Sequence, residues 1–272
     1  MPEIPEIETF RRHLEAKVVD KIVDRVIVNR EKSLNVPAEE FQAALTGKRI
    51  VAARRRAKQI ILTFDNGCSI VVHFMLEGYM RLFYVGEELA GKPSVVLVLT
   101  SGEQLGLFKL NLGYVHLAYT TDLTKIAELA DLGPEPLADS FTMEQFENLL
   151  GERKGMIKPL LMDQQFLAGI GNVYSNETLF CAGILPERKV AKITDAEQQR
   201  LYQCIREILQ EAVEAGGVYE EKFSSDDTLT GGYEPRLKVA YRTGQPCYTC
   251  GSLVETKRVG GRNAFYCSVC QK

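Results

Sequence analysis

The chain has 272 residues, 45% of them hydrophobic, with a formal net charge of −3 and a pI near 5.8. That length accommodates two domains with substantial cores, and no apolar run reaches the roughly 20 residues that span a bilayer. The acidic balance excludes a surface coated in positive charge, so a nucleic-acid binder of this composition must cluster its basic residues. Two clusters exist: Arg54-Arg55-Arg56 with Lys58, and Lys257, Arg258 and Arg262 near the C-terminus. There is no tryptophan, low-complexity segment or internal repeat.

The N-terminus reads Met1-Pro2-Glu3-Ile4-Pro5-Glu6-Ile7-Glu8-Thr9-Phe10. Pro5 suits a first helical turn, where its missing N–H costs nothing. Ile4, Ile7, Phe10 and Leu14 repeat at helical spacing, and Glu6 and Glu8 lie at the favoured positive end. Pro2 and Glu3 then stand just outside the helix. From Lys21 to about Tyr119 the pattern changes to short β-rich runs: Ile22–Val28, Ile60–Phe64, Ile70–Phe74, Met80–Val85, Val95–Thr100 and Val115–Tyr119. Asn66-Gly67 and Ser101-Gly102 mark hairpin turns. This spacing predicts an antiparallel sandwich or barrel.

Leu132–Leu137, with Pro134 and Pro136, reads as a linker. Helices are predicted over Phe141–Leu150, Met156–Asp163 and Val173–Ala182. Thr194 followed by Glu197 forms a capping box for a long helix with an apolar face of Leu201, Cys204, Ile205, Ile208, Leu209 and Ala212. Gly216-Gly217 stops it. The polar, glycine-containing stretch Val218–Lys238 reads as a mobile loop.

Cys247, Cys250, Cys267 and Cys270 form two Cys-x-x-Cys pairs separated by sixteen residues. This spacing suits one structural zinc held by four thiolates, with Gly260-Gly261 turning a short hairpin between the pairs. Two disulfides in a secreted domain are the alternative reading. The other cysteines (Cys68, Cys181, Cys204) read as small core residues, and His13, His73 and His116 lack metal-ligand spacing.

Three further places could carry chemistry. Removal of Met1 would make Pro2 a terminal secondary amine, nucleophilic when neutral, with Glu3 placed to move protons; a plain helix lead-in explains the same residues. Gly169-Ile170-Gly171-Asn172 joins two helices and could form a phosphate-binding nest, or only a tight connection with an Asn cap. Lys158 opens the preceding helix and could meet the same phosphate or simply be solvated. In alternation Arg56 and Lys58 share one face before the strand Gln59–Phe64, where a solvated face is the ordinary reading.

Together these blocks resemble the formamidopyrimidine-DNA glycosylase / endonuclease VIII family. The resemblance runs from Pro2-Glu3-Ile4-Pro5-Glu6 through Arg55-Arg56-Ala57-Lys58, Leu132–Leu137, Ile157–Gln164, Ala168–Glu177 and Ala182–Pro186 to the four-cysteine finger. It implies an α+β multidomain fold. An N-terminal antiparallel β-sandwich flanked by helices would cover residues 1–131 and a linker 132–140. A helix–two-turn–helix domain with the mobile loop would cover 141–237, and a four-cysteine zinc-finger β-hairpin 238–272. The implied activity is base excision with abasic-site lyase chemistry. Pro2 is the nucleophile that forms a Schiff base, Glu3 the acid/base, and Lys58 and Arg262 support β- and δ-elimination. Lys158, Asn172 and Arg262 would grip DNA phosphates. The implied partner is double-stranded DNA with a damaged, oxidised base or an abasic site. No membrane is involved, and the protein would act as a cytoplasmic, nucleoid-associated monomer.

The sequence departs from the family where the flipped base leaves a gap. The family loop Asp-x-Arg-x-Phe-Gly corresponds to Leu107–Gly113, which is about one residue shorter and has neither the arginine nor the phenylalanine at that spot. Gap filling then falls to Leu76, Leu110 and Leu112, which can wedge but cannot hydrogen-bond an opposite cytosine. Two other readings remain at this point: a zinc-dependent DNA-binding protein of the same fold that recognises damage with weak base removal or lyase activity only, and an unrelated zinc-ribbon interaction protein.

Overall fold

Local signals at the N-terminus produce the first element. Helix α1 (Ile4–Lys17) carries Pro5 in its first turn and buries Ile4, Ile7, Phe10 and Leu14, the side chains spaced for one face. The computed structural model describes residues 1–151 and 153–272, Ala127 by its backbone alone. Strands β1 (Val23–Val28), β2 (Ile50–Arg56), β3 (Gln59–Phe64), β4 (Cys68–His73), β5 (Tyr79–Tyr84), β6 (Val95–Leu99), β7 (Glu103–Phe108) and β8 (Tyr114–Tyr119) follow. Helix α2 (Ala38–Leu45) lies between β1 and β2, and α3 (Ala127–Ala130) comes after β8. They form two four-stranded antiparallel sheets, ordered β1-β6-β7-β5 and β2-β3-β4-β8. The expected hairpin turns at Asn66-Gly67 and Ser101-Gly102 join β3 to β4 and β6 to β7. One hydrophobic core takes side chains from both sheets, α1 and α2: Phe10, Phe41, Leu62, Val72, Leu97 and Leu105 among them. Its apolar burial is the main stabilising term for this half of the molecule.

The second half is helical: α4 (Met143–Gly151), α5 (Ile157–Leu161), α6 (Asn172–Ala182) and α7 (Asp195–Glu214). Strands β9 (Glu255–Val259) and β10 (Arg262–Tyr266) form the C-terminal hairpin. Thr194 caps α7 through the Glu197 N–H, and the predicted face of that helix is buried. The chain separates into two compact units, Met1–Ala130 with Gly216–Gly231, and Asp131–Ala215 with Gly232–Lys272. Among the described residues no helix is long and apolar enough to cross a membrane.

Three expectations need correction. Cys181 and Cys204 are not isolated core residues. Their Cα atoms lie 5.8 Å apart on α6 and α7, and their sulfurs are bonded. Helix packing creates that proximity across 23 positions of sequence, while Cys68 is only partly buried at the start of β4. Arg56 and Lys58 do not alternate on one strand face, because β2 ends at Arg56 and Ala57 turns the chain at φ 51°. Finally, residues 218–231 are no free loop. Phe223 is buried in the sandwich core and its carbonyl accepts the Leu82 N–H at 2.6 Å. The buried Asp227 carboxylate accepts the N–H groups of Phe223, Leu229 and Thr230, as well as the Thr230 hydroxyl. Four donors on one buried carboxylate hold such a segment without helix or strand.

Candidate functional site

In the first unit the site begins at the N-terminus of α1. Pro2 and Glu3 are buried, and Glu3 occupies the cap position with extended backbone. The Glu3 N–H donates to Glu6 Oε2 at 2.7 Å, and the other Glu6 oxygen accepts the Val218 N–H at 2.9 Å. A side chain at Gly217 would lie 2.3 Å from Glu6 Oε1, so this approach needs glycine there. The terminal amine is held below its ordinary value of 8.0, first by burial and also by Lys58. Glu3, Glu6 and Glu77 oppose that shift. The amine therefore sits among three carboxylates and one lysine, and it loses its proton more readily than an exposed amine.

Lys58 reaches this place from the β2–β3 hairpin. Arg56 pairs with Gln59, leaving Ala57-Lys58 as a two-residue turn. Positive φ at a buried alanine costs on the order of 1 kcal/mol, and two contacts hold it. Arg55 donates to the Ala57 carbonyl at 3.1 Å and also pairs with Glu8 of α1 at 3.2 Å. The turn bearing Lys58 is thereby tied to the helix bearing Glu3. His73 lies nearby on β4. Burial first, then the Lys58 charge, pushes its pKa down to about 4, and its Nδ1 accepts the Met75 N–H. His73 is thus neutral at pH 7, which fits the structural reading of the histidines. His13 stacks on Phe223 and faces Asp227 at 3.2 Å.

The leucines expected to fill a base gap separate into two groups. Leu76 is 48% exposed on the β4–β5 turn and Leu112 is 66% exposed after β7. Leu110, by contrast, is fully buried against Gly78 and Gly113. It belongs to the core and does not reach the surface, a correction that the short spacing between Leu110 and Leu112 conceals in the sequence.

In the second unit Asn172 opens α6 directly after the Gly169-Ile170-Gly171 turn. Gln164 holds this turn from both sides, accepting the Gly169 N–H and donating to the Ile170 carbonyl. Lys158 on α5 is fully buried, so the solvated reading fails. Its Nζ donates to Asn172 Oδ1 at 2.7 Å and to Ser175 Oγ at 3.1 Å. A buried ammonium is tolerated only when such acceptors surround it, and the bond to Oδ1 fixes which end of the Asn172 amide faces away from Lys158.

The finger sits against the same helices. Val259 pairs with Arg262 across the Gly260-Gly261 turn, which leaves Arg262 exposed at the hairpin tip. A side chain at Gly260 would lie 2.5 Å from Pro159, so the tip rests on α5 next to Lys158. Asn176 joins α6 to β10, accepting the Phe265 N–H. Buried Glu177 accepts the N–H groups of Lys238, Val239 and Ala240, while burial pushes its pKa up. Neither residue was assigned a role in the sequence; Glu177 is the one charged side chain of α6, which was the available signal. The four sulfurs of Cys247, Cys250, Cys267 and Cys270 all lie within 4.8 Å of one another. The Cys247–Cys270 and Cys250–Cys267 separations are 3.9 and 3.5 Å. A tetrahedral zinc with bonds of about 2.3 Å needs about 3.8 Å between thiolates, so these residues fit the ion and leave it no open position.

Comparison with known proteins finds relatives along the whole chain. Residues 1–109 match the formamidopyrimidine-DNA glycosylase N-terminal domain, residues 132–224 its H2TH domain, and residues 244–272 the zinc finger found in FPG and IleRS. Formamidopyrimidine-DNA glycosylases of Pelotomaculum thermopropionicum and Alteromonas mediterranea are 37% and 34% identical over 276 and 272 residues. Those matches cover all of this chain and 99% and 100% of the relatives. The fold superposes on Lactococcus lactis Fpg in complex with DNA containing N7-benzyl-Fapy-dG, with a TM-score of 0.92, 29% identity and full coverage of both chains. A complex of the same enzyme with abasic-site DNA gives the same TM-score over 99% of each chain.

Proposed function

Because the chain belongs to the formamidopyrimidine-DNA glycosylase family, we propose that removal of Met1 makes Pro2 the nucleophile of a base-excision reaction, with Glu3 and Lys58 as its catalytic partners. The enzyme is a DNA glycosylase and abasic-site lyase that acts on damaged DNA, and its finger carries one structural zinc. Full-length similarity to glycosylases disfavours the reading as a damage-binding protein without base removal.

The observation that carries the assignment is the placement of Pro2, buried at the start of α1 beside buried Glu3 and Glu6, where the preceding Met1 amine feels the Lys58 charge. Once Met1 is gone, the Pro2 nitrogen is the terminal amine. A base stacked in a duplex is out of reach, so the nucleotide is first flipped out. The neutral amine attacks C1′; the glycosidic bond breaks, and its electron pair leaves with the base, which takes up a proton. The nitrogen then gives up its own proton and its lone pair expels the ring oxygen O4′, which is protonated as the sugar opens to an iminium. The iminium acidifies the C2′ hydrogens. Loss of one proton expels the 3′ phosphate oxygen, and a second elimination expels the 5′ phosphate oxygen. Buried Glu3 relays the protons, and Lys58 and Arg262 stabilise the developing phosphate charge.

The second unit supplies the phosphate grips. Lys158 turns the Asn172 amide so that its NH2 end is the donor, and Arg262 projects from a tip that zinc and Pro159 hold in place. Leu76 and Leu112 fill the vacated base position without a hydrogen bond to the opposite base. The reading includes a monomer acting in the nucleoid-associated cytoplasm. The test is single-turnover base release and strand scission on duplexes carrying oxidised purines, with protein that retains Met1 as the comparison. Loss of both activities when Met1 is retained supports the assignment. Undiminished base release by the Met1-retaining protein overturns it.

A further inference from the structure

The turn that exposes Leu76 has little of its own to hold it. Within Phe74–Gly78 the only internal hydrogen bond between main-chain groups given by the described residues is Gly78 N–H to the Phe74 carbonyl, and Met75 has φ 52°. A one-bond turn with a non-glycine residue at positive φ needs support from outside. His73 supplies part of that support, its Nδ1 accepting the Met75 N–H, and Tyr219, far along the chain from Leu76, holds the other end of the turn. Its hydroxyl lies 3.1 Å from the Glu77 carbonyl and 2.9 Å from the Gly78 carbonyl, both acceptors. Its ring meets Phe10 of α1 edge-on, with centroids 6.2 Å apart.

Tyr219 is itself fixed on both sides. Glu6 holds the Val218 N–H, and Glu221 pairs with Lys109, the first residue after β7, at 3.1 Å. The same side of that loop is gripped by Arg30, which donates to the carbonyls of Leu110 and Asn111 at 3.1 Å each. Segment 218–221 therefore bonds to Glu6, to the turn carrying Leu76 and to the start of the loop carrying Leu112. Burial and nearby carboxylates hold the Tyr219 phenol far above its ordinary pKa, so it remains a donor throughout the working pH range.

We propose that Tyr219 is a positioning residue for gap filling: its hydroxyl fixes the Glu77-Gly78 main chain and so presents Leu76 to the place the flipped base vacates. The inference rests on the proposed gap-filling role of Leu76 and extends it to a residue that touches no DNA in this account. Gap filling is read as the stopped-flow fluorescence rise of 2-aminopurine placed opposite a tetrahydrofuran abasic analogue, which unstacks when a side chain enters. Tyr219→Phe keeps the ring packing on Phe10 and removes only the hydroxyl.

The rise should slow about fivefold in Tyr219→Phe, the factor expected from one lost hydrogen bond. Leu76→Ala should slow it at least as much, and adding Tyr219→Phe to Leu76→Ala should change it no further. Near-ultraviolet circular dichroism checks that each variant keeps its packing. An unchanged rate in Tyr219→Phe overturns the proposal. So does an equal slowing by Tyr219→Phe with and without Leu76, which marks a general structural effect. If Leu76→Ala leaves the rise unchanged, Leu76 does not fill the gap and the positioning role falls with it, while the Pro2 nucleophile stands on its own test.

Discussion

His73 should make the protein acid-sensitive, and the size of the effect follows from its surroundings. Burial and the Lys58 charge lower its folded pKa from 6.5 to about 4. The unfolded chain therefore binds a proton at a higher pH than the folded one does. Between those values the unfolded state takes up more protons, so stability falls as pH falls. Linkage gives a loss of about 2 kcal/mol by pH 5 and about 3 kcal/mol by pH 4, relative to pH 7. His73→Gln removes the titration and can still offer the Met75 N–H an acceptor. Urea unfolding of both proteins at pH 7, 6, 5 and 4 isolates the term, because other groups titrate alike in each. The wild type should lose stability faster with acidification by the stated amounts. Lys58→Met should shift the His73 transition to higher pH by removing a like charge. Parallel pH profiles for wild type and His73→Gln would refute the reasoning.

The remaining predictions concern the second unit. Arg262→Ala should weaken DNA binding with zinc content unchanged, whereas Cys250→Ser should lose zinc, the finger fold and DNA binding together. Metal analysis beside fluorescence-anisotropy titrations separates the two; loss of zinc in Arg262→Ala would show that the tip and the ion are not separate parts. Reduction of Cys181–Cys204, closing a separation of 23 residues, should cost about 3 kcal/mol of stability on the chain-entropy account. Denaturation with and without reductant reads it, and Cys181→Ala with Cys204→Ala should be indifferent to reductant. Lys158→Met should weaken DNA binding at low salt by roughly tenfold, since it removes a charge-assisted bond of about 1.5–3 kcal/mol that orients Asn172. Equal affinity in a salt titration would place Asn172 outside the phosphate grip.

The legible parts of this molecule were those in which neighbouring residues set the structure. Cysteine spacing marks the metal ligands, and Pro5 with Ile4, Ile7 and Phe10 marks α1. The capping box at Thr194 and the Gly169–Asn172 turn are also local, and the structure places all four where the pattern predicts. The illegible parts depend on partners distant in sequence. Ala57 adopts φ 51° because Arg55 and the β2–β3 pairing hold it, not because alanine favours that region. Leu110 and Leu112 differ in exposure through the loop that Arg30 grips. Asp227 organises a segment whose composition alone reads as a mobile loop. Lys158 looks like a surface lysine until Asn172 and Ser175 close over it. In each case a tertiary contact overrides the residue's ordinary preference.

The central claim is that the N-terminal amine is the nucleophile, and mapping the covalent intermediate tests it most directly. The purified protein is mixed with a duplex containing an abasic site, reduced with borohydride, digested and analysed by mass spectrometry. Met1 should be absent, and the reduced sugar adduct should sit on the peptide beginning with Pro2. An adduct on the Lys58 peptide, or none at all from protein that binds the duplex, would contradict it.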